Sequence, residues 1–93
     1  MKILAVCGFG CGSSMILKMS IDKALKEMGK DVETEVSDVS SAKGARCDAI
    51  FTSSELADNL RSSVKVPVFE IKKYLDIAEI KGELEKFFAQ KGG

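Results

Sequence analysis

The sequence predicts an α/β fold: an open, four-stranded parallel sheet with helices on both faces. Three observations carry it. Segments of strand length, apolar or alternating, recur four times along the chain. Between them lie segments whose apolar residues return at helical spacing, giving the order β-α-β-(turn)-β-α-β-α. The first apolar run, Ile3-Leu4-Ala5-Val6, is continuous rather than alternating, as expected of a parallel strand covered on both faces. Right-handed crossovers then lay the strands into an open sheet. With 93 residues, the chain fits one domain, 1–93, and is too short for two.

Residues 2–6 form the first predicted strand. Ser13 or Ser14 is the expected N-cap of a helix over 15–28. Leu17, Ile21, Ala24, Leu25 and Met28 share one face of it, and Gly29 is its stop signal. Residues 31–37 alternate, with Val32, Thr34 and Val36 opposite Asp31, Glu33 and Glu35, which predicts a half-exposed edge strand. Residues 40–46 are small and polar, a loop or a short helical turn. Residues 48–52 form the third strand. Ser53-Ser54-Glu55 opens a short helix to about Arg61, buried along Leu56, Ala57 and Leu60, and Thr52, Ser53 and Ser54 are assigned to capping it. Residues 64–71 contain the fourth strand. Pro67 donates no ladder hydrogen bond, so this strand lies at an edge or begins at the proline. Asp76 and Glu79 have capping-box spacing. Ile77, Ile80, Leu84, Phe87 and Phe88 form the apolar face of the last helix.

Composition excludes several classes of function. Lys and Arg total 14, Asp and Glu total 14, and no basic tract is present, so there is no footprint for nucleic acid. No apolar run approaches the ~20 residues of a membrane helix, and Ile3–Val6 is too short for a secretion signal. The expected location is the cytosol. No residue is histidine, which removes Cys–His and Ser–His–Asp catalysis and phosphohistidine from this chain. Cysteines at 7, 11 and 47 are an odd number, against a secreted disulfide framework, and lack the fourth ligand and second close pair of a zinc set. No cofactor or metal is expected.

The chemistry concentrates in Cys7-Gly8-Phe9-Gly10-Cys11-Gly12-Ser13-Ser14, where a strand passes into a helix. In an open sheet, ligands lie beyond the carboxyl ends of the strands where strand order reverses. A free thiol has a pKa of about 8.5, lowered at a helix N-terminus by the dipole and unpaired amides. The same amides donate hydrogen bonds to the oxygens of a phosphoryl group. Cys7 is therefore the candidate nucleophile. Gly8, Phe9, Gly10, Cys11, Gly12, Ser13 and Ser14 are the candidate phosphoryl-binding residues. Cys11 reads as a small loop residue, with a resolving thiol as the alternative; Cys47 reads as core packing.

Cys7 to Met19, C-G-F-G-C-G-S-S-M-I-L-K-M, followed by Ser20-Ile21-Asp22, resembles the phosphorylation loop of the enzyme IIB proteins of the bacterial phosphotransferase system. Within the lactose, galactitol and ascorbate-type IIB proteins it is most similar to the ascorbate branch. The G-S-S-M-I-x-K-M portion is the specific part. The resemblance implies a phosphoryl shuttle: a histidine of a IIA partner phosphorylates Cys7, and Cys7 passes the group to a sugar, ascorbate in the named branch, held in the membrane-embedded IIC partner. It also implies the strand order 2-1-3-4, similar to low-molecular-weight tyrosine phosphatases. Phe9 and Cys11 depart from the polar residues expected at their positions.

A phosphatase or arsenate-reductase-like enzyme of the same architecture is the runner-up. Its Cys-x5-Arg loop would place arginine where this chain has Ser13, and its leaving group needs an acid, for which Asp38 and Asp48 are the candidates. Gly8-x-Gly10-x-Gly12 lacks the spacing of a dinucleotide fingerprint, and Cys-x3-Cys is not the redox spacing. At about 100° per residue, Met15 and Met19 fall opposite Leu17 and Ile21. With Phe9 they form the expected apolar rim on which IIA and IIC dock in turn. Lys18 and Lys26 flank it as solvated lysines.

Overall fold

The computed structural model describes residues 2–6, 10–44 and 46–90, and for 10–14 and Glu55 the backbone alone. Its elements are β1 (Lys2–Val6), α1 (Gly10–Met28), β2 (Glu33–Ser37), α2 (Val39–Gly44), β3 (Ala49–Thr52), α3 (Ser54–Ser63), β4 (Val68–Glu70) and α4 (Ile77–Gln90). The strands form one parallel sheet in the order β2-β1-β3-β4. The order reverses beside β1, so the carboxyl end of this central strand lies at the switch point of the sheet.

The continuous run of β1 works as its composition requires. Ile3 and Ala5 enter one core, with Leu17, Ile21 and Leu25 of α1 and Ile80, Leu84 and Phe87 of α4. Leu4 and Val6 enter the other, with Ala42 of α2, Ala57 and Leu60 of α3, and Ile50. Period-two alternation divides one strand between two apolar layers. On the first side Phe51, Phe69, Phe87 and Phe88 form a chain of ring contacts with centroids 5.1, 6.1 and 5.2 Å apart.

The edge strands behave as their sequences predict. Thr34 of β2 is buried between exposed Glu33 and Glu35. Val36 shares its face yet is 37% exposed, because an edge strand has a neighbour on one flank only. Pro67 directly precedes β4, which is both short and at an edge; its carbonyl accepts from the Ile50 N–H at 3.0 Å. Gly29 ends α1 with φ +72°. The Lys30 N–H reaches the Leu25 carbonyl at 3.0 Å, and the Gly29 N–H reaches that of Lys26 at 3.2 Å, the paired bonds of a Schellman stop.

Three local expectations are corrected. Helix α1 begins at Gly10, so Ser13 and Ser14 lie inside its first turns and neither is the N-cap. Glycine's helix penalty belongs to helix interiors, whereas first-turn amides have no intrahelical acceptor to lose. The Asp76–Glu79 capping box is half formed. Asp76 accepts from the Glu79 N–H at 3.2 Å, but the Glu79 carboxylate turns away and accepts from the Lys72 and Lys73 N–H groups, each at 3.0 Å. Ser53 stands at the N-cap of α3 without a side-chain capping bond.

Candidate functional site

The carboxyl ends of β1 and β3 are tied together by Thr52. Its side chain is fully buried, and its hydroxyl donates to the Val6 carbonyl at 2.9 Å. Its own carbonyl accepts from the Ile71 N–H at 2.8 Å. One residue thus fastens β1, β3 and the exit of β4 at the edge from which the chain proceeds to Cys7. Thr52 was expected as a capping residue; the usable signal was a hydroxyl at the end of the strand adjoining β1.

Cys7, Gly8 and Phe9 lie outside the described residues. Gly10, Cys11, Gly12 and Ser13 form the first turn of α1 and Ser14 follows. Of the eight residues Cys7 to Ser14, the last five therefore belong to α1 rather than to a loop. The N–H groups of the first turn have no partner within the helix. That turn contains no acidic residue, so the positive end of the dipole is left uncompensated.

Neither candidate acid is placed for acid catalysis at this edge. Asp38 follows β2 and accepts from the Ser41 N–H at 2.7 Å, capping α2. Hydrogen bonds from Ser41 hold its carboxyl below the ordinary aspartate value, so it stays ionised. Asp48 precedes β3 at the amino end of the sheet. It accepts from the Lys2 N–H at 2.8 Å, and its own N–H donates to the Lys2 carbonyl at 2.8 Å. Val6 is four residues further along β1, roughly 13 Å away at strand rise. Cys47 lies at the same distant end, packed against the second core. Burial pushes its thiol up, which makes it a poor nucleophile at neutral pH.

Met15 and Met19 are exposed on α1, as expected. Met15 is 50% and Met19 62% exposed, while Leu17 and Ile21 are fully buried. Ile16, 44% exposed, and Leu75, 80% exposed, extend the patch beyond the residues singled out from sequence. Lys18 is not a free solvated lysine. It pairs with Asp22 at 2.8 Å, and Asp22 also accepts from the Thr34 hydroxyl, anchoring α1 to β2. Lys26 is exposed. Among the described residues no group of three Cys, Asp or Glu is arranged to hold a metal ion, and no helix is long and apolar enough to cross a membrane.

Known proteins share this architecture and sequence. A curated relative from Mycoplasma pneumoniae, described as the ascorbate-specific PTS system EIIB component, is 31% identical over 88 residues, covering 92% of this chain and 93% of that protein. The lactose-specific IIB domain from Streptococcus pneumoniae superposes with a TM-score of 0.64 at 13% identity, covering 96% of this chain and 95% of the other. The solution structure of an enzyme IIB subunit from Escherichia coli K12 gives a TM-score of 0.51 at 19% identity, covering 99% and 95%. At such identities the two structures speak for the fold. Residues 2–86 match the family described as the PTS system, lactose/cellobiose-specific IIB subunit. Together with a sheet whose order reverses where β1 passes through Cys7 into α1, this match decides the assignment: the chain belongs to the IIB family of the sugar phosphotransferase system.

Proposed function

We propose that this chain is a phosphoryl carrier working through Cys7, and that residues 1–93 form a single IIB domain acting in the cytoplasm. The Cys7 thiolate attacks the phosphorus of a phosphohistidine on the IIA partner. The S–P bond forms, the N–P bond breaks, and the imidazole leaves with a proton from solvent. A hydroxyl of a sugar held by the membrane-embedded IIC partner then attacks the phosphocysteine, and the thiolate is regenerated. The observation that carries this reading is the position of Cys7, the residue after central β1 and three before α1, in a chain of the IIB family.

The first-turn amides of α1, Gly10 to Ser13, supply donors for the phosphoryl oxygens. Gly8 and Phe9 complete the link, and the Ser13 and Ser14 hydroxyls add donors. Ser13 in place of a loop arginine, with Asp38 committed to a cap and Asp48 at the other end of the sheet, supports a carrier over a phosphatase. With Asp38 held in its cap and Asp48 at the other end of the sheet, neither candidate carboxylate is placed to activate the water that would hydrolyse a phosphocysteine, which then persists until its acceptor arrives. Phe9, Met15 and Met19 form the apolar rim on which IIA and IIC dock in turn. Ascorbate is the proposed sugar, from the relative's description.

The test is phosphorylation from phosphoenolpyruvate through the general phosphotransfer proteins and a IIA chain, read by intact mass. The expected adduct is a single phosphoryl group, lost in Cys7→Ser and kept in Cys11→Ser. Turnover of an aryl phosphate by the chain alone would instead identify a phosphatase.

A further inference from the structure

Four of the five large apolar residues left exposed among the described ones, Met15, Ile16, Met19 and Leu75, belong to α1 or to the connection between β4 and α4. They are not scattered. Ile16, Met19 and Leu75 line a groove of about 300 Å³ with Lys23 and Ile77. Ile16 and Leu75 also line an adjoining one of about 400 Å³, with Lys72, Lys73 and Tyr74. Among the described residues neither lining contains an acidic side chain. The surface is therefore an apolar trough with lysines on its margin.

Leu75 is 80% exposed on a turn that is held in place. The Glu79 carboxylate accepts from the Lys72 and Lys73 N–H groups, both at 3.0 Å, and the Asp76 N–H donates to the Lys73 carbonyl at 3.0 Å. Three hydrogen bonds hold the backbone of the turn, and the large apolar side chain it presents to water gains nothing for the fold. Such preorganisation lowers the ordering cost of binding something else. Contiguous apolar surface with a polar margin is the signature of a docking site.

We infer that this trough receives the phosphoryl donor: an apolar projection of the IIA partner, flanked by carboxylates, enters between Ile16, Met19 and Leu75 while the carboxylates meet Lys23, Lys72 and Lys73. This rests on the phosphoryl-carrier reading. Charge selects the occupant. A second copy packed on this surface about a two-fold axis would set lysines against lysines. A bilayer would satisfy the lysines with anionic headgroups, and the vesicle arm of the experiment below separates it from a protein donor. A soluble donor that meets the carrier by diffusion gains encounter rate from the positive margin.

The experiment follows rapid-quench transfer from phosphorylated IIA to this chain at several salt concentrations, with unphosphorylated variants checked by circular dichroism. Leu75→Ser is expected to raise the half-saturating IIA concentration by about tenfold, with the saturated transfer rate unchanged. Lys72→Glu/Lys73→Glu is expected to lower the second-order rate and flatten its salt dependence. Both substitutions lie in exposed side chains and leave the backbone bonds to Glu79 in place. Wild-type protein that takes up no phosphoryl group would overturn the carrier reading itself. Normal uptake by wild type with unaltered half-saturation in Leu75→Ser would overturn the trough alone. Binding to phosphatidylglycerol vesicles, or a dimer in sedimentation, either one lost in Leu75→Ser while transfer is unaltered, would overturn it in favour of a lipid surface or a second copy.

Discussion

Thr52 concentrates two long-range bonds in one side chain and its backbone. Its hydroxyl holds the Val6 carbonyl and its carbonyl holds the Ile71 N–H. Valine has nearly the same shape and no hydroxyl, so Thr52→Val isolates the first bond. The substitution leaves a buried carbonyl short of a donor, and such groups cost about 1–3 kcal/mol. We therefore expect Thr52→Val to lower unfolding free energy by about 1–2 kcal/mol in urea at unchanged m, and Thr52→Ser to retain more of it. If Thr52→Val unfolds at the wild-type midpoint, the hydroxyl bond contributes nothing to the edge. The same scale separates the cysteines. Cys47 is packed on a core at the amino end of the sheet, its thiol pushed up by burial. Cys7 precedes a helix N-terminus at the carboxyl end, where negative charge is favoured.

Among the helices, glycine makes opposite contributions at two positions. Gly29 ends α1 at φ +72°, and a Cβ there would meet no atom within 4 Å, so any penalty is conformational. Gly82 lies inside α4 with equally open space and no positive φ. We expect Gly29→Ala to destabilise by about 1 kcal/mol or more and Gly82→Ala to stabilise by about 1 kcal/mol, shifting Tm by roughly 4–8 °C in opposite directions. Equal shifts of one sign would contradict the difference in backbone geometry. The stop at Gly29 was readable because left-handed backbone selects glycine. The sheet was readable because burial on one or two faces writes itself as alternation or as a continuous apolar run. The start of α1 was not, since Gly10, Gly12, Ser13 and Ser14 have loop propensities and the helix end they form is set by the strand before it. The role of Glu79 was also hidden. Its acceptor spacing suggested a cap three residues back, whereas its partners are the N–H groups six and seven residues back. Leu75 escaped because one leucine in a connecting segment has no period to read. Of the candidate site, the passage from strand to helix was legible, whereas the exposed apolar cluster of Ile16, Met19 and Leu75 was brought together only by folding.

Across the whole molecule, stability and recognition occupy different places. The two cores lie on either face of the sheet, and the aromatic chain from Phe51 to Phe88 joins β3 and β4 to α4 on one of them. Among the described residues, four of the five exposed large apolar side chains instead lie on the outer side of α1 and on the turn before α4, Val36 of β2 being the fifth. Met19 is 62% exposed and Phe87 fully buried, so substitutions at the two should separate folding from transfer. Phe87→Leu removes ring contacts with Phe69 and Phe88 from a packed core and should cost about 1–2 kcal/mol, lowering Tm by roughly 5–15 °C. Against a total of about 5–15 kcal/mol, most molecules remain folded at room temperature, so transfer from IIA should be within about twofold of wild type. Met19→Glu buries no charge and should leave Tm within about 4 °C, because surface substitutions cost within about 0.5 kcal/mol. It does put a carboxylate at the centre of the apolar rim, where a partner flanked by carboxylates would be repelled. Transfer from IIA should fall about tenfold. Thermal unfolding and rapid-quench transfer on the same two proteins decide the matter. Two variants that lose stability and transfer in parallel would mean that the outer face of α1 matters only through the fold it belongs to.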